Sequence, residues 1–135
     1  MNKIIDKLAW IEIQDKKILS TRSKGKEVYY IPGGKRETGE SDHVALIREI
    51  KEELSVDLIA DSLKYLGTWE AQAHSHPAGV LVRMTCYTGK YTGTLAPAAE
   101  IAGMAWLDYG HYAEISPVDK IIFDWLLSKK MIGCR

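Results

Sequence analysis

An acid-rich segment, residues 34–56, constrains this chain more than any other feature of its sequence. Its pattern predicts a helix from Asp42 to Leu54. At about 100° of rotation per residue, Glu49, Glu52 and Glu53 fall within an arc of roughly 100° on one side of that helix. The other side carries the apolar residues that we expect to be buried: Val44, Leu46, Ile47, Ile50 and Leu54.

This acidic arc has two interpretations. Glu49 and Glu53 lie four residues apart, and two like charges at that spacing destabilise a helix by a few tenths of a kcal/mol. A bound Mg²⁺ would reverse the sign of that interaction, because the ion takes oxygen ligands and is usually held by one or two carboxylates. A solvated charged face is nevertheless the commoner meaning of a Glu-rich helix. The spacing alone leaves both interpretations open.

The order of residues in the segment resembles the signature box of the Nudix hydrolases. The matching pattern is Gly34, five residues, Glu40, seven residues, then Arg48-Glu49-Ile50-x-Glu52-Glu53-x-Ser55-Val56. The only departure is Ser55, where the family usually has Gly. A Gly there ends a helix in a left-handed conformation, which Ser adopts at a cost of about 1–2 kcal/mol. The departure therefore concerns the end of the helix rather than the chemistry.

The resemblance implies catalytic roles for Arg48, Glu49 and Glu53. Nudix enzymes hydrolyse a diphosphate linked to another moiety, commonly a nucleoside, and divalent ions neutralise the charge that develops. By position, Glu52 and Glu53 correspond to the metal-binding pair and Glu49 to the metal-linked or base carboxylate. Arg48 corresponds to the residue that orients Glu49 through a charge-assisted hydrogen bond. A simple Arg48–Glu52 helix pair is the alternative, and both can hold together.

The resemblance also extends the predicted metal site beyond the helix. Glu40 corresponds to an outer member of the cluster, and the carbonyl of Gly34 helps to hold the metal. Glu100, six residues before Trp106, lies where MutT-type members carry an extra acidic ligand, although it also reads as a solvated loop acid. The expected cofactor is Mg²⁺, with Mn²⁺ as a substitute, and the predicted ligands are Gly34, Glu40, Glu49, Glu52, Glu53 and Glu100.

Four residues outside the acidic set are candidates for binding substrate. Lys35 directly follows the glycine pair, and Arg22 lies on a segment expected near the acidic helix, so both can meet phosphate. Tyr30 offers an aromatic ring for stacking, although such a ring is more often a core residue. Asp119 opens the last predicted helix, where some MutT-type enzymes read a purine edge. It also fits a favourable acid in the first turn of a helix.

The composition predicts one globular domain, residues 1–135, in the cytoplasm. Lys plus Arg and Asp plus Glu balance at 18 each, so no dedicated nucleic-acid surface is expected. No apolar run approaches the roughly 20 residues of a membrane span, and residues 1–6 lack the apolar core of a signal peptide. Cys86 and Cys134 form neither a disulfide framework nor a metal-ligand spacing.

The remaining pattern predicts an α/β fold with a central mixed sheet flanked by helices, similar to the Nudix α/β/α sandwich. The closing helix should bury Ile121, Ile122, Trp125 and Leu126. The predicted strands and closing helix are Leu8–Ile13, Ile18–Arg22, Val28–Ile31, Leu63–Ala71, Val80–Thr88, Ile101–Leu107 and Pro117–Ser128.

The leading functional hypothesis is a Mg²⁺-dependent pyrophosphohydrolase that converts a nucleoside triphosphate, or a modified one, to a monophosphate and pyrophosphate. A second hypothesis keeps the fold and changes the substrate to ADP-ribose, a nucleotide sugar or a dinucleotide. A third is a catalytically silent domain that binds a nucleotide as a sensor. His74 and His76 are spaced for a transition-metal site, but no third ligand has an obvious spacing. The expected assembly is a monomer or homodimer.

Overall fold

The computed structural model describes residues 3–134, so Met1, Asn2 and Arg135, at the ends of the predicted domain, lie outside the described residues. None of the helices in that range is long and apolar enough to cross a membrane. Two short 3₁₀ helices cover Ala60–Ser62 and Tyr109–Glu114. The other elements, in chain order, are β1 (Lys3–Trp10), β2 (Ile13–Gln14), β3 (Lys17–Ser23), β4 (Gly33–Lys35), α1 (Asp42–Leu54), β5 (Asp57–Leu58), β6 (Lys64–Gln72), β7 (Val80–Thr88), β8 (Tyr91–Thr92), β9 (Ile101–Leu107) and α2 (Pro117–Ser128).

The central sheet is mixed, as predicted. Its strand order is β4-β1-β7-β6, with β1 parallel to β7 and the other neighbours antiparallel. A second sheet has the order β2-β3-β9, and β5 pairs with β8. The parallel pairing of β1 with β7 places the first strand of the chain in the middle of the four-stranded sheet.

The side chains of β1 point alternately to the two faces of this sheet, and each face packs against one helix. Leu8 and Trp10 point to one face and pack with the apolar side of α1. Ile5 and Ala9 point to the other face and pack with the apolar side of α2. The result is the α/β/α sandwich expected from the sequence, with one core on each side of β1.

Helix α1 has the predicted bounds and a defined cap at each end. The Ser41 hydroxyl accepts a hydrogen bond from the Val44 N–H at 3.2 Å. At the other end Ser55 adopts the left-handed conformation, with φ of 65°. The predicted burial of Val44 is wrong, since this residue is 54% exposed. It lies about 120° around the helix from the buried Ile50, which turns it toward solvent.

Helix α2 also has the predicted bounds, but its buried face is shifted. Ile122 and Leu126 are fully buried as expected, and Trp125 is partly buried. Ile121 is 40% exposed, so its predicted burial is wrong. It is turned by about 100° from Ile122. The buried face instead includes Asp119, which has no exposed surface.

Most strand predictions are confirmed, including Ile18–Arg22, which lies within β3, but the bounds of the first strand and the strand at residues 28–31 are wrong. Strands β7 and β9 have the predicted bounds, and β6 is displaced by one residue at each end. Strand β1 begins at Lys3, not Leu8, and ends before Ile11. Residues 28–31 form no strand, because Tyr29 and Tyr30 each make one isolated bridge to a different neighbour.

We predict that Ser55→Gly changes the free energy of unfolding by less than about 1 kcal/mol, while Ser55→Val lowers it by about 1–2 kcal/mol. Gly relieves the left-handed strain but loses the hydrogen bond from the Ser55 hydroxyl to the Ala96 carbonyl, and a β-branched residue adds strain. Urea unfolding measures all variants. Thr92→Val, at an exposed strand position, is the control and should be near neutral. Equal stability of the Gly and Val variants would contradict the assigned backbone conformation.

Candidate functional site

The turn that precedes α1 requires glycine at residue 33 and is tightly packed at residue 34. At Gly33 the backbone has φ of 149°, and a Cβ there would collide with the carbonyl oxygen of Leu8. At Gly34 a Cβ would overlap the carboxylate of Glu49. The two glycines therefore allow strand β4 to lie directly against β1 on one side and against an acidic side chain of α1 on the other.

Arg48 holds three carboxylates together at the outer side of α1. Its Nε and Nη2 donate to the two carboxylate oxygens of Glu40 at 2.7 and 2.8 Å. Its Nη1 donates to Glu52 at 2.8 Å and to Glu49 at 3.1 Å. A further bond from Nη2 reaches the Lys35 carbonyl at 3.1 Å. The two interpretations of Arg48, as a partner of Glu52 and as a residue that orients Glu49, thus hold together.

These ion pairs strongly favour the charged forms of the groups involved. The hydrogen bonds from Arg48, with one from the Glu37 N–H, lower the pKa of Glu40 to about 2. The same bonds, led by those to Glu40 and Glu52, raise the pKa of Arg48 above its usual value. Glu40 and Glu52 face this cation and do not line the cavity described next.

A second group of acids lines a cavity of about 420 Å³ beside strand β4. It consists of Glu49 and Glu53 from α1 and Glu100 from the loop before β9. The Gly33 N–H donates to Glu53 at 3.2 Å. Burial, reinforced by the charges of Glu49 and Glu100, nevertheless raises the pKa of Glu53 to about 8. Burial likewise raises the pKa of Glu49, and the Arg48 hydrogen bond opposes that rise.

The donor chemistry of this cavity suits a hard divalent cation. Glu49, Glu53 and Glu100 offer carboxylate oxygens, and burial, followed by the charges of Glu49 and Glu100, disfavours the charged form of Glu53, which a bound cation would favour. Within residues 3–134, no three acidic, His or Cys side chains stand close enough together to ligate one ion as they are. That includes His74 and His76, which lie at the cavity wall.

The other end of the cavity has an apolar floor and aromatic walls. Tyr30 and His74 meet edge to face, with ring centroids 6.1 Å apart. Burial, followed by the charge of Asp119, raises the pKa of the Tyr30 hydroxyl. Five buried aliphatic residues form the floor: Ile5, Ile31, Val82, Met84 and Val118. A flat or partly apolar group fits this end better than a phosphate does.

The predicted substrate-binding residues are only partly brought together. Lys35 and Tyr30 line the cavity. Arg22 does not line it, and donates instead to the Lys26 carbonyl at 3.3 Å. Asp119 is fully buried outside the lining residues, where Oδ2 accepts from the Ile31 N–H at 2.8 Å. Burial raises the pKa of Asp119 to about 7.

Sequence reasoning missed Lys7, a partly buried lysine in the cavity. Burial, followed by the charge of Lys35, lowers the pKa of its ammonium group. Its place in β1 is an inward position between Ile5 and Ala9, where alternation calls for an apolar residue. A lysine at an inward position of a strand is a sequence signal for a functional residue. The prediction missed this signal because the predicted strand began at Leu8, one residue after Lys7.

Comparison with known proteins identifies the family. The family model described as NUDIX domain matches residues 8–126. The Bacillus subtilis protein named "Uncharacterized Nudix hydrolase YvcI" is 28% identical over 115 residues, covering 84% of this chain and 73% of that protein.

Solved structures share the fold at lower identity. The E. coli ORF135 protein superposes with a TM-score of 0.72 at 24% identity, covering 94% of this chain and 91% of that one. The MutT protein of Methanosarcina mazei Go1 gives a TM-score of 0.74 at 14% identity, with 95% and 96% covered. The E. coli dihydroneopterin triphosphate pyrophosphohydrolase gives 0.70 at 20%, with 92% and 95% covered. The chain therefore belongs to the Nudix hydrolases, a family that acts on pyrophosphate bonds of nucleotide-like substrates with the help of divalent metal ions.

Proposed function

We propose that this protein hydrolyses a nucleoside triphosphate, or a modified one, to the monophosphate and pyrophosphate in the presence of Mg²⁺. The observation that carries the proposal is the two-ended cavity beside strand β4. Glu49, Glu53 and Glu100 line one end, and apolar and aromatic residues line the other. Such a cavity matches a substrate with a polyphosphate at one end and a flat base at the other.

The proposed metal ligands are oxygen atoms from three segments of the chain. Glu49 and Glu53 from α1, the Gly34 carbonyl and Glu100 supply the part that lines the cavity. Glu52 and Glu40 are the outer acids of the proposal, linked to Glu49 through Arg48. An oxygen-only set favours Mg²⁺, with Mn²⁺ as a substitute. The ion, when bound, neutralises charge on the phosphate oxygens.

The chain's own residues have separate tasks in the proposed reaction. Glu49 and Glu53 are the candidates to accept a proton from the attacking water, since both carboxylates line the cavity where we place the phosphates. Arg48 fixes the Glu49 carboxylate through the 3.1 Å hydrogen bond. Lys35, exposed at the acidic end, is a proposed phosphate contact. We retain Arg22 as a proposed second contact, although its side chain lies outside the cavity lining and would have to leave the Lys26 carbonyl to reach a phosphate.

The base-binding end is proposed to use Tyr30 and Asp119. The Tyr30 ring lines the cavity and offers a face or edge for stacking. Asp119 does not line the cavity itself. Its carboxylate accepts a hydrogen bond from the Ile31 N–H and so fixes the backbone of a residue that does line it. The proposed assembly is a monomer or homodimer. The two unpaired cysteines, Cys86 and Cys134, agree with the cytoplasmic location that we propose.

Product analysis tests the substrate class. We expect turnover of at least one compound from a panel of nucleoside triphosphates and dihydroneopterin triphosphate, with release of pyrophosphate and a monophosphate in equal amounts when Mg²⁺ is present. The reason is that pyrophosphate can leave only from a polyphosphate chain. Chromatography of the nucleotide products, with a pyrophosphate assay, gives the answer. Release of AMP from ADP-ribose without turnover of any triphosphate would contradict the proposal and favour the second substrate class.

Glu53→Gln should lower kcat/KM by at least about 100-fold at saturating Mg²⁺. The amide keeps an oxygen that can accept from the Gly33 N–H, so the fold is retained while the charge is lost. Steady-state kinetics with the preferred triphosphate measures the effect.

The matched control is Glu114→Gln, at an exposed glutamate outside the cavity lining. It should keep wild-type kinetics. Full activity of Glu53→Gln would show that this carboxylate has no part in the reaction.

A further inference from the structure

Lys7 is a cation in the cavity without a partner of its own. Within the described residues, its ammonium group makes no hydrogen bond and no ion pair. The nearest aromatic group is the Tyr30 ring, whose centroid lies 6.0 Å from Nζ. Burial makes the charged form of this group costly and lowers its pKa, although the charges of Asp119, Glu53 and Glu49 partly oppose that change. The cost indicates a purpose other than stabilising the fold.

The neighbouring strand increases this cost. Lys7 of β1 is the direct cross-strand partner of Lys35 in β4. Side chains of directly opposed residues lie on the same face of a sheet, and like charges in that arrangement destabilise it. The charge of Lys35 is the largest electrostatic influence on Lys7 after burial. An anion placed between the two ammonium groups would turn this repulsion into attraction.

The net charge of the side chains that line the cavity favours such an anion only when a cation is also bound. Three lysines, Lys7, Lys26 and Lys35, balance three glutamates, Glu49, Glu53 and Glu100. A divalent ion held by the glutamates would leave the lining with two surplus positive charges. A polyphosphate is the ligand that cancels such a surplus.

Lys7 also stands at the boundary between the two ends of the cavity. In the row of paired residues across the sheet, Lys35 of β4 lies on one side of Lys7 and Met84 of β7 on the other. Lys35 belongs to the acidic end, next to the glycine turn, and Met84 belongs to the apolar floor. Two residues earlier on the same face of β1, Ile5 continues that floor. The only charge on this strand in the cavity is therefore where the acidic end meets the apolar one.

We propose that Lys7 is a substrate-binding residue that holds the phosphoryl group attached directly to the nucleoside. This inference rests on the proposed function, because it takes the polyphosphate to lie at the acidic end and the base over the apolar floor. The phosphoryl group that joins the two must then cross the boundary where the Lys7 ammonium group lies. Lys7 accordingly fixes the position of the substrate along the cavity.

A binding experiment with nucleoside monophosphates tests this assignment apart from turnover, because these ligands contain no pyrophosphate bond to hydrolyse. Each of the four 2′-deoxynucleoside 5′-monophosphates and its parent nucleoside is titrated into the protein in the presence of Mg²⁺. We expect the wild type to bind at least one monophosphate more tightly than its nucleoside. Lys7→Met should weaken that monophosphate about 10- to 100-fold and the nucleoside hardly at all, since a hydrogen bond to a charged group is lost. Lys7→Arg should recover most of the affinity.

Two controls separate binding from folding. Lys64→Met, at an exposed lysine of β6 outside this cavity, should leave both affinities unchanged. The Tm of Lys7→Met without ligand should equal or exceed that of the wild type, because an unpaired buried charge is removed. A lower Tm, with equal weakening of monophosphate and nucleoside, would assign Lys7 a structural role and overturn the inference.

The remaining outcomes distinguish this inference from the proposed function. If the wild type releases pyrophosphate from a triphosphate while Lys7→Met binds the monophosphate as the wild type does, only the role of Lys7 is wrong. A wild type that binds no monophosphate more tightly than its nucleoside would also overturn that role. If the wild type turns over no triphosphate, the proposed function fails, whatever Lys7 does.

Discussion

Repulsion among carboxylates in a partly dehydrated cleft is the constraint on which the site depends. Glu53 shows it most clearly, because burial and the nearby Glu49 and Glu100 raise its pKa to about 8 although the Gly33 N–H donates to it. Arg48 offsets part of the repulsion at the outer side of α1, where it binds three acids at once. Within residues 3–134, no basic side chain forms an ion pair with Glu53 or Glu100, and a bound divalent ion would offset the repulsion on that side.

Strand β1 organises the scaffold that holds these charged side chains, because it packs against both helices. Because its residues alternate between two faces, Leu8 and Trp10 fix α1 while Ile5 and Ala9 fix α2. The same strand accommodates the glycine turn, since a side chain at residue 33 would strike its backbone. One strand therefore connects the side of the cavity next to the acidic helix with its apolar floor, and carries Lys7 between Ile5 and Leu8 in the lining.

Much of this architecture is readable from the sequence where the pattern is periodic and long. The bounds of α1, β7, β9 and α2 follow from apolar periodicity and from capping residues such as Ser41. The reading failed where tertiary contacts outweigh local preference. Tyr29 and Tyr30 favour a strand by composition but pair with different segments. The sequence predicts Asp119 as a substrate contact or a first-turn acid, and neither prediction indicates its full burial in the core. The sequence also does not indicate which glutamates of the signature segment face the cavity. In the structure Glu40 and Glu52 bind Arg48, while Glu49 and Glu53 line the cavity.

The central claim is that a divalent cation completes the acidic cluster of Glu49, Glu53 and Glu100. Isothermal titration of the metal-free protein with Mn²⁺ and with Mg²⁺ tests it most directly, because the measurement needs no substrate. The account predicts saturable binding of both ions by the wild type, weakened at least about 10-fold by loss of the Glu53 charge in Glu53→Gln. A wild type with no measurable affinity for either ion, or a Glu53→Gln variant that binds them equally well, would contradict the account.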